Sequence, residues 1–181
     1  MRFGQQLAVL SLAALALGAA AATRSFEYDE AYSVFVTSPA PRPAWPATVF
    51  RAGDARAAFT AHAGPAAIAR ALRETDVHPP LYFWALAAWR AVAGDGLVAM
   101  RLLSVLCGLA ALVAVGAIAR ESAIPQAPTM LLTAGCYGFA YTGSVARGYA
   151  LAQMLGVAAV WLALDGRAGL AGACVGLAAG T

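Results

Sequence analysis

The sequence predicts an all-α integral membrane protein, a multi-span helical bundle whose first outer-face loop carries interfacial amphipathic helices. Three observations predict it. Of 181 residues, 61% are apolar and only 12% are charged, about half the quarter that is usual for a soluble domain. Mean hydropathy is +0.70. The apolar residues fall in long runs, and the charges fall between or at the ends of those runs. This composition excludes a disordered tail, a basic nucleic-acid-binding domain and an ordinary cytosolic enzyme.

The first element is the run from about 5 to 22, about 18 residues, enough to cross roughly 30 Å of hydrocarbon at 1.5 Å per residue. Arg2 ahead of it places its start in the cytoplasm. A basic start, an apolar core and Ala20-Ala21-Ala22 also describe a signal peptide with its cleavage site. Taken alone, the segment fits both readings equally. Either way the following loop, residues 23–96, lies on the outer face.

That loop holds seven Arg and seven acidic residues, so it is neutral overall yet carries most of the ionisable groups. Pro39, Pro41, Pro43 and Pro46 break regular structure at its centre. A helix is expected from about Asp29 to Val36. A second is expected from Gly64 to Thr75, with Ile68, Ala71 and Leu72 opposite Arg70 and Arg73. Such helices often lie flat among lipid headgroups. Residues 81–93, bounded by Pro79-Pro80 and Gly94, reach only about 20 Å and are too short to span unaided. They read as an interfacial or re-entrant helix, and Tyr82, Phe83, Trp84 and Trp89 suit the headgroup level.

Further spans are expected at about 97–119, 126–143 and 149–164, with another at 168–181. If residues 81–93 do not cross, Arg2, Arg120 and Arg167 all fall on the cytoplasmic side, as the positive-inside rule requires. Gly172, Gly176 and Gly180 form a stripe along the last helix that would let another backbone pack closely. The abrupt end of that run carries the expectation that the native chain continues past Thr181. Cys107, Cys136 and Cys174 all sit in apolar runs at spacings that fit no zinc motif, and read as small buried hydrophobes.

The ionisable groups expected on the outer side are Asp29-Glu30, His78 before Pro79-Pro80, Arg101, and Arg147-Gly148-Tyr149. A carboxylate near the membrane surface can act as a general base toward a hydroxyl. Asp29 can equally be a helix N-cap, and that reading weighs more from pattern alone. Arg101 reads as an anchor that snorkels to the headgroups. Arg147 stands at a helix entrance near Tyr141 and Tyr149, where a guanidinium suits bidentate phosphate binding.

In combination these segments are more specific. The order is Phe26-Glu27-Tyr28-Asp29-Glu30-Ala31-Tyr32, His78-Pro79-Pro80-Leu81-Tyr82-Phe83, Gly94-Asp95, Arg101-Leu102-Leu103-Ser104 and Ala146-Arg147-Gly148-Tyr149. It resembles the amino-terminal portion of the GT-C membrane glycosyltransferases, in the branch of protein mannosyltransferases and lipid A aminoarabinose transferases. The resemblance implies a retained first span and a multi-pass protein of the plasma (inner) membrane, with its site on the outer, periplasmic face. It implies a polyprenyl-phosphate-linked sugar donor and a lipid, glycan or protein acceptor. It maps the essential carboxylate onto Asp29, with Glu30 beside it, and the donor phosphate onto His78, Arg147, Arg101 and Tyr149. Some relatives have Lys where this chain has His78, and a neutral imidazole binds phosphate more weakly. No nucleic-acid partner and no required metal are implied, although a divalent cation is compatible with the chemistry. The absence of a nucleotide-binding glycine loop agrees with a lipid-linked donor. Two other readings stay open: a transporter-type fragment, and a non-catalytic membrane protein.

Overall fold

The computed structural model of the chain describes residues 3–39, 59–75 and 78–181. Arg2 and the prolines at 41, 43 and 46 lie outside the described residues. Among the described residues every regular element is helical: α1 Phe3–Thr23, α2 Tyr28–Thr37, α3 Pro65–Thr75, α4 Leu81–Ala93, α5 Leu97–Glu121, α6 Gln126–Gly135, α7 Tyr137–Thr142, α8 Tyr149–Leu164 and α9 Ala168–Ala179. Two of these helices, over Gly4–Thr23 and Leu97–Glu121, are long and apolar enough to cross a membrane. Both are rich in Ala and Leu, the residues that give up least on entering a helix.

α5 is the central post. It packs against α1, α4, α6 and α8, and α8 in turn carries α9. A stripe on α1 (Val9, Ala13, Leu17 and Ala21) is buried against Val105, Ala111 and Leu112 of α5 and against Met130 and Phe139. The spacing of four keeps that stripe on one helical face. Leu17 is the knob. A Cβ on Gly143 would lie 3.1 Å from the Leu17 side chain and 3.1 Å from the Phe139 carbonyl, so a glycine there lets the backbone close over it. The outward side of the same helix, at Leu7, Leu12 and Leu15, is exposed.

Helix ends collect at two poles. At one, Gln6 Nε2 donates to Gln126 Oε1 at 3.2 Å, and Gln126 Nε2 donates to the Gly116 carbonyl at 2.9 Å. At the other, the end of α1, the starts of α2, α4, α5 and α8, and the end of α9 meet. There the Leu81 amide donates to the Gly180 carbonyl at 2.9 Å. α4 both begins and ends near this second pole: beyond its Leu81 contact, Trp89 Nε1 donates to the Ala99 carbonyl at 2.7 Å.

Several expectations change. The loop helices do not present free apolar faces to lipid. Ile68 and Leu72 of α3 and Val34 and Val36 of α2 share a core with Tyr82, Phe83 and Leu86 of α4 and Met100 of α5. Burying these faces against one another removes them from water as effectively as lipid would. Tyr82 and Phe83 are therefore core residues rather than headgroup anchors, and Trp84 is the exposed aromatic of α4. The loop core has its own ionic pin. Buried Arg90 donates from Nε to Asp95 Oδ1 at 2.8 Å, from Nη1 to Thr37 Oγ1 at 2.7 Å, and from Nη2 to the Phe59 carbonyl.

The expected single helix at 126–143 is broken at Cys136, whose backbone is extended (φ −66, ψ 128). Gly135 and Gly138 flank the break, and glycine is a weak helix former. Cys136 is exposed, Cys174 is half-buried and only Cys107 is buried, so the reading of three buried thiols holds for one. Of the expected glycine stripe of α9, Gly172 and Gly176 face open space, where an added Cβ would meet no atom within 4 Å, while Gly180 lies against Leu81 of α4.

Candidate functional site

The second pole is organised by one buried ion pair. Arg101 stands one turn into α5 and Glu30 one turn into α2, and both side chains are fully buried. Arg101 Nε donates to Glu30 Oε1 at 2.7 Å, and Nη2 donates to Oε2 at 2.6 Å. The remaining guanidinium protons go to the carbonyls of Ala21 and Arg24, at 2.8 and 2.9 Å, and of Ser25 at 2.6 Å. All five donors of the guanidinium are thereby committed. Glu30 also accepts from the Ala146 amide at 2.8 Å and the Glu27 amide at 3.1 Å. The local reasons are simple. The end of α1 exposes carbonyls that need a donor, and the start of α2 exposes amides that need an acceptor.

This geometry corrects two expectations. Arg101 is not a snorkelling anchor and keeps no proton for a donor phosphate. Glu30, expected beside Asp29 in the site, has both oxygens occupied and no access to solvent. Asp29 is not the N-cap of α2 either. Glu27 holds that position, and Asp29 lies in the first turn.

Asp29 and Arg147 are placed differently. Successive residues on a helix point about 100° apart, so burying Glu30 turns Asp29 outward. Its side chain is 49% exposed, and Oδ2 lies 3.9 Å from Arg147 Nε, within ion-pair range but beyond hydrogen bonding. Arg147 sits in the turn before α8. That turn is fixed by the bond from the Ala146 amide to Glu30 and by Ser104 Oγ, which donates to the Val145 carbonyl at 2.6 Å. The Arg147 side chain is 8% exposed. Nη1 points to the Asp29 carbonyl at 3.5 Å and Nη2 to His78 Nε2 at 3.4 Å. Its guanidinium lies 5.8 Å from the Tyr32 ring centre and 5.7 Å from that of Tyr149. Every polar contact is long, in contrast with Arg101, so the charge is held in position but not saturated.

Arg147 borders a cleft of about 230 Å³ that is also lined by His78, Tyr82, Phe83, Tyr149 and Thr181. A Cβ on Gly148 would lie 3.2 Å from the Thr181 carbonyl and 3.3 Å from the Tyr82 side chain, so only glycine fits without displacement. The structure thus brings Asp29, His78, Arg147 and Tyr149 together. It adds Tyr32, which sequence reasoning left among the motif residues and did not place in the site. Its signal was the spacing of three from Asp29 along α2. Among the described residues no group of three or more His, Cys, Asp or Glu side chains could hold a metal ion.

Glu27 belongs to a separate cluster at the rim. Arg24 Nη2 donates to Glu27 Oε1 at 2.7 Å, and the Tyr141 hydroxyl donates to Oε2 at 2.8 Å. The Arg24 hydrogen bond, seconded by that from Tyr141, holds the Glu27 carboxyl below the ordinary carboxylate range. No family model, curated protein or solved structure matches the chain.

Two predictions follow from the burial and pairing. Glu30→Gln should lower stability by about 3–5 kcal/mol, because it strands the buried Arg101 charge. Asp29→Asn should change stability by less than about 1 kcal/mol. Thermal unfolding of the two purified variants in detergent checks the contrast. Glu27→Gln should be destabilising at neutral pH, with the deficit shrinking as pH falls below about 4. A depressed carboxyl stabilises the fold above its unfolded pKa and loses that contribution as it protonates. Unfolding midpoints across pH 3–7 give the readout.

Proposed function

We propose that this chain belongs to a multi-pass membrane glycosyltransferase of the GT-C type, which moves a sugar from a polyprenyl-phosphate donor to an acceptor at the outer face of the plasma membrane. The observation that carries the reading is the pairing at the second pole. A half-exposed carboxylate, Asp29, lies 3.9 Å from a nearly buried guanidinium, Arg147, whose polar contacts are all long and which lines a cleft together with His78 and Tyr149. The sequence resemblance described above supports the same assignment. So does the agreement of Arg120 and Arg167 with the positive-inside rule, since both stand at the far ends of α5 and α8.

The chemistry uses these residues directly. The Asp29 carboxylate takes the proton of the acceptor hydroxyl as that oxygen attacks the anomeric carbon. A new C–O bond forms on one face while the C–O bond to phosphate breaks on the other, so the anomeric centre inverts. The leaving phosphate departs as a stable anion and needs no protonating acid, which makes a second carboxylate unnecessary. The Arg147 guanidinium stabilises the charge that grows on the phosphate oxygens, with His78 beside it. Asp29 then returns its proton to water. The lipid tail lies along the apolar helices that lead to the cleft.

Asp29→Asn should lower sugar transfer by at least ~10²-fold while the protein still folds, and Arg147→Lys should lower it by about 10²-fold. Transfer from a panel of polyprenyl-phosphate sugars, measured on purified protein in lipid, tests both; undiminished turnover by Asp29→Asn refutes the base. For the topology, a reporter fused after Gly96 should be external and one after Ser122 cytoplasmic. The opposite pattern would overturn the orientation.

A further inference from the structure

A second cleft opens on the other side of Tyr32. It has a volume of about 340 Å³, lies between α2 and α3, and is lined by Tyr32, Phe35, Ser38, Ala67, Glu74 and Thr75 among others. We infer that this cleft is a saccharide-binding subsite, which holds a pyranose ring of the acceptor while a hydroxyl of the acceptor reaches Asp29. The inference rests on the transferase reading for its role in catalysis, but not for the binding itself.

Three features favour a sugar ring over other occupants. The first is chemical. Two aromatic rings, a carboxylate and hydroxyls line one hollow, and Ala63 and Ala71 leave its floor free of bulk. Aromatic faces take the C–H face of a pyranose, and an ionised carboxylate accepts from its hydroxyls in a charge-assisted way. The second is proton placement. Thr75 Oγ1 donates to the Ala71 carbonyl at 2.6 Å, so the proton in its 3.1 Å contact with Tyr32 belongs to the tyrosine. The Tyr32 ring is thereby held across the hollow by its own hydroxyl. The third is position. Asp29, Tyr32 and Val36 fall three and four residues apart on one face of α2, and the last two line the cleft. Asp29 continues that line one turn toward the start of the helix, about 4.5 Å of rise away. Tyr32 lines this cleft and stands close to residues that line the first. Its ring lies 6.4 Å from that of His78, 6.1 Å from that of Phe83 and 5.8 Å from the Arg147 guanidinium.

The test uses the full chain in lipid nanodiscs. The probes are methyl glycosides of glucose, mannose and galactose, with 1,6-hexanediol as a diol that lacks a ring. Binding is read by saturation-transfer NMR, alongside sugar transfer from polyprenyl-phosphate donors. Ala67 is exposed at the lip, so Ala67→Trp should fill the cleft without disturbing the fold. It should weaken glycoside binding by more than ~10-fold, and Glu74→Gln should weaken it about 3–10-fold as a milder check, because the amide oxygen still accepts a hydrogen bond but without the charge. Glycoside signal that is present in wild type, absent for the diol and lost in both variants supports the subsite. If that pattern occurs without any sugar transfer, the subsite stands and the transferase reading falls. Signal that is absent in wild type, equal for the diol, or unchanged in both variants overturns the subsite, and transfer that still depends on Asp29 would then leave the transferase reading intact.

Discussion

The bond between Arg101 and Glu30 is the constraint on which the second pole depends. Two charges have been taken fully out of water, which is unfavourable unless every polar atom finds a partner. Here every one does: five guanidinium donors meet five acceptor positions, and both carboxylate oxygens accept twice. The partners come from the end of α1, the start of α2, the first turns of α5 and the turn before α8. Four segments distant in the chain are thereby tied at one point. Removing either charge would not simply delete a contact. It would leave the other charge buried alone and release the carbonyls of α1 and the Ala146 amide together.

That tie also separates two kinds of residue that look alike in the sequence. Asp29 and Glu30 are neighbours, and Arg101 and Arg147 are both arginines near helix starts. Saturation divides them. Glu30 and Arg101 satisfy each other, so neither can respond to a ligand. Asp29 and Arg147 are their chain or spatial neighbours, and both are held by the same bonds, yet their own contacts are long. Their separation of 3.9 Å suits two charges that attract without locking. No short hydrogen bond has to be broken before Arg147 can take a new partner.

Much of the fold was legible in the sequence because it rests on local pattern. The apolar lengths of α1 and α5, the amphipathic face of α3 at Ile68 and Leu72, and the short α4 between Pro80 and Gly94 each follow from periodicity and breakers. Arg147 at a helix entrance was legible for the same reason. What escaped depends on distance. Glu30 and Arg101 are 71 residues apart, and nothing in either neighbourhood announces the partner. The burial of Tyr82 and Phe83 depends on α2 and α3 folding over them, which composition alone cannot distinguish from contact with lipid. The break at Cys136 lies inside a run whose hydropathy is continuous. Gly135 and Gly138 weaken the helix there, and beyond the break Phe139 is buried in one cluster with Leu17, a partner that hydropathy does not reveal.

Tyr32 brings these strands together. It is placed by helix periodicity, three residues from Asp29, but its importance comes from what the tertiary fold sets on either side of it. On one side are a cation and an imidazole. On the other is a hollow of alanines rimmed by a carboxylate and hydroxyls. The aromatic ring, held at its hydroxyl by Thr75 and flanked at its face by Arg147, divides these two sides with few internal rotations to freeze. The ion pair beneath fixes the helix that carries both the ring and the carboxylate. Ring and carboxylate therefore keep their places against α5 and the turn before α8 for as long as the Glu30 contacts hold.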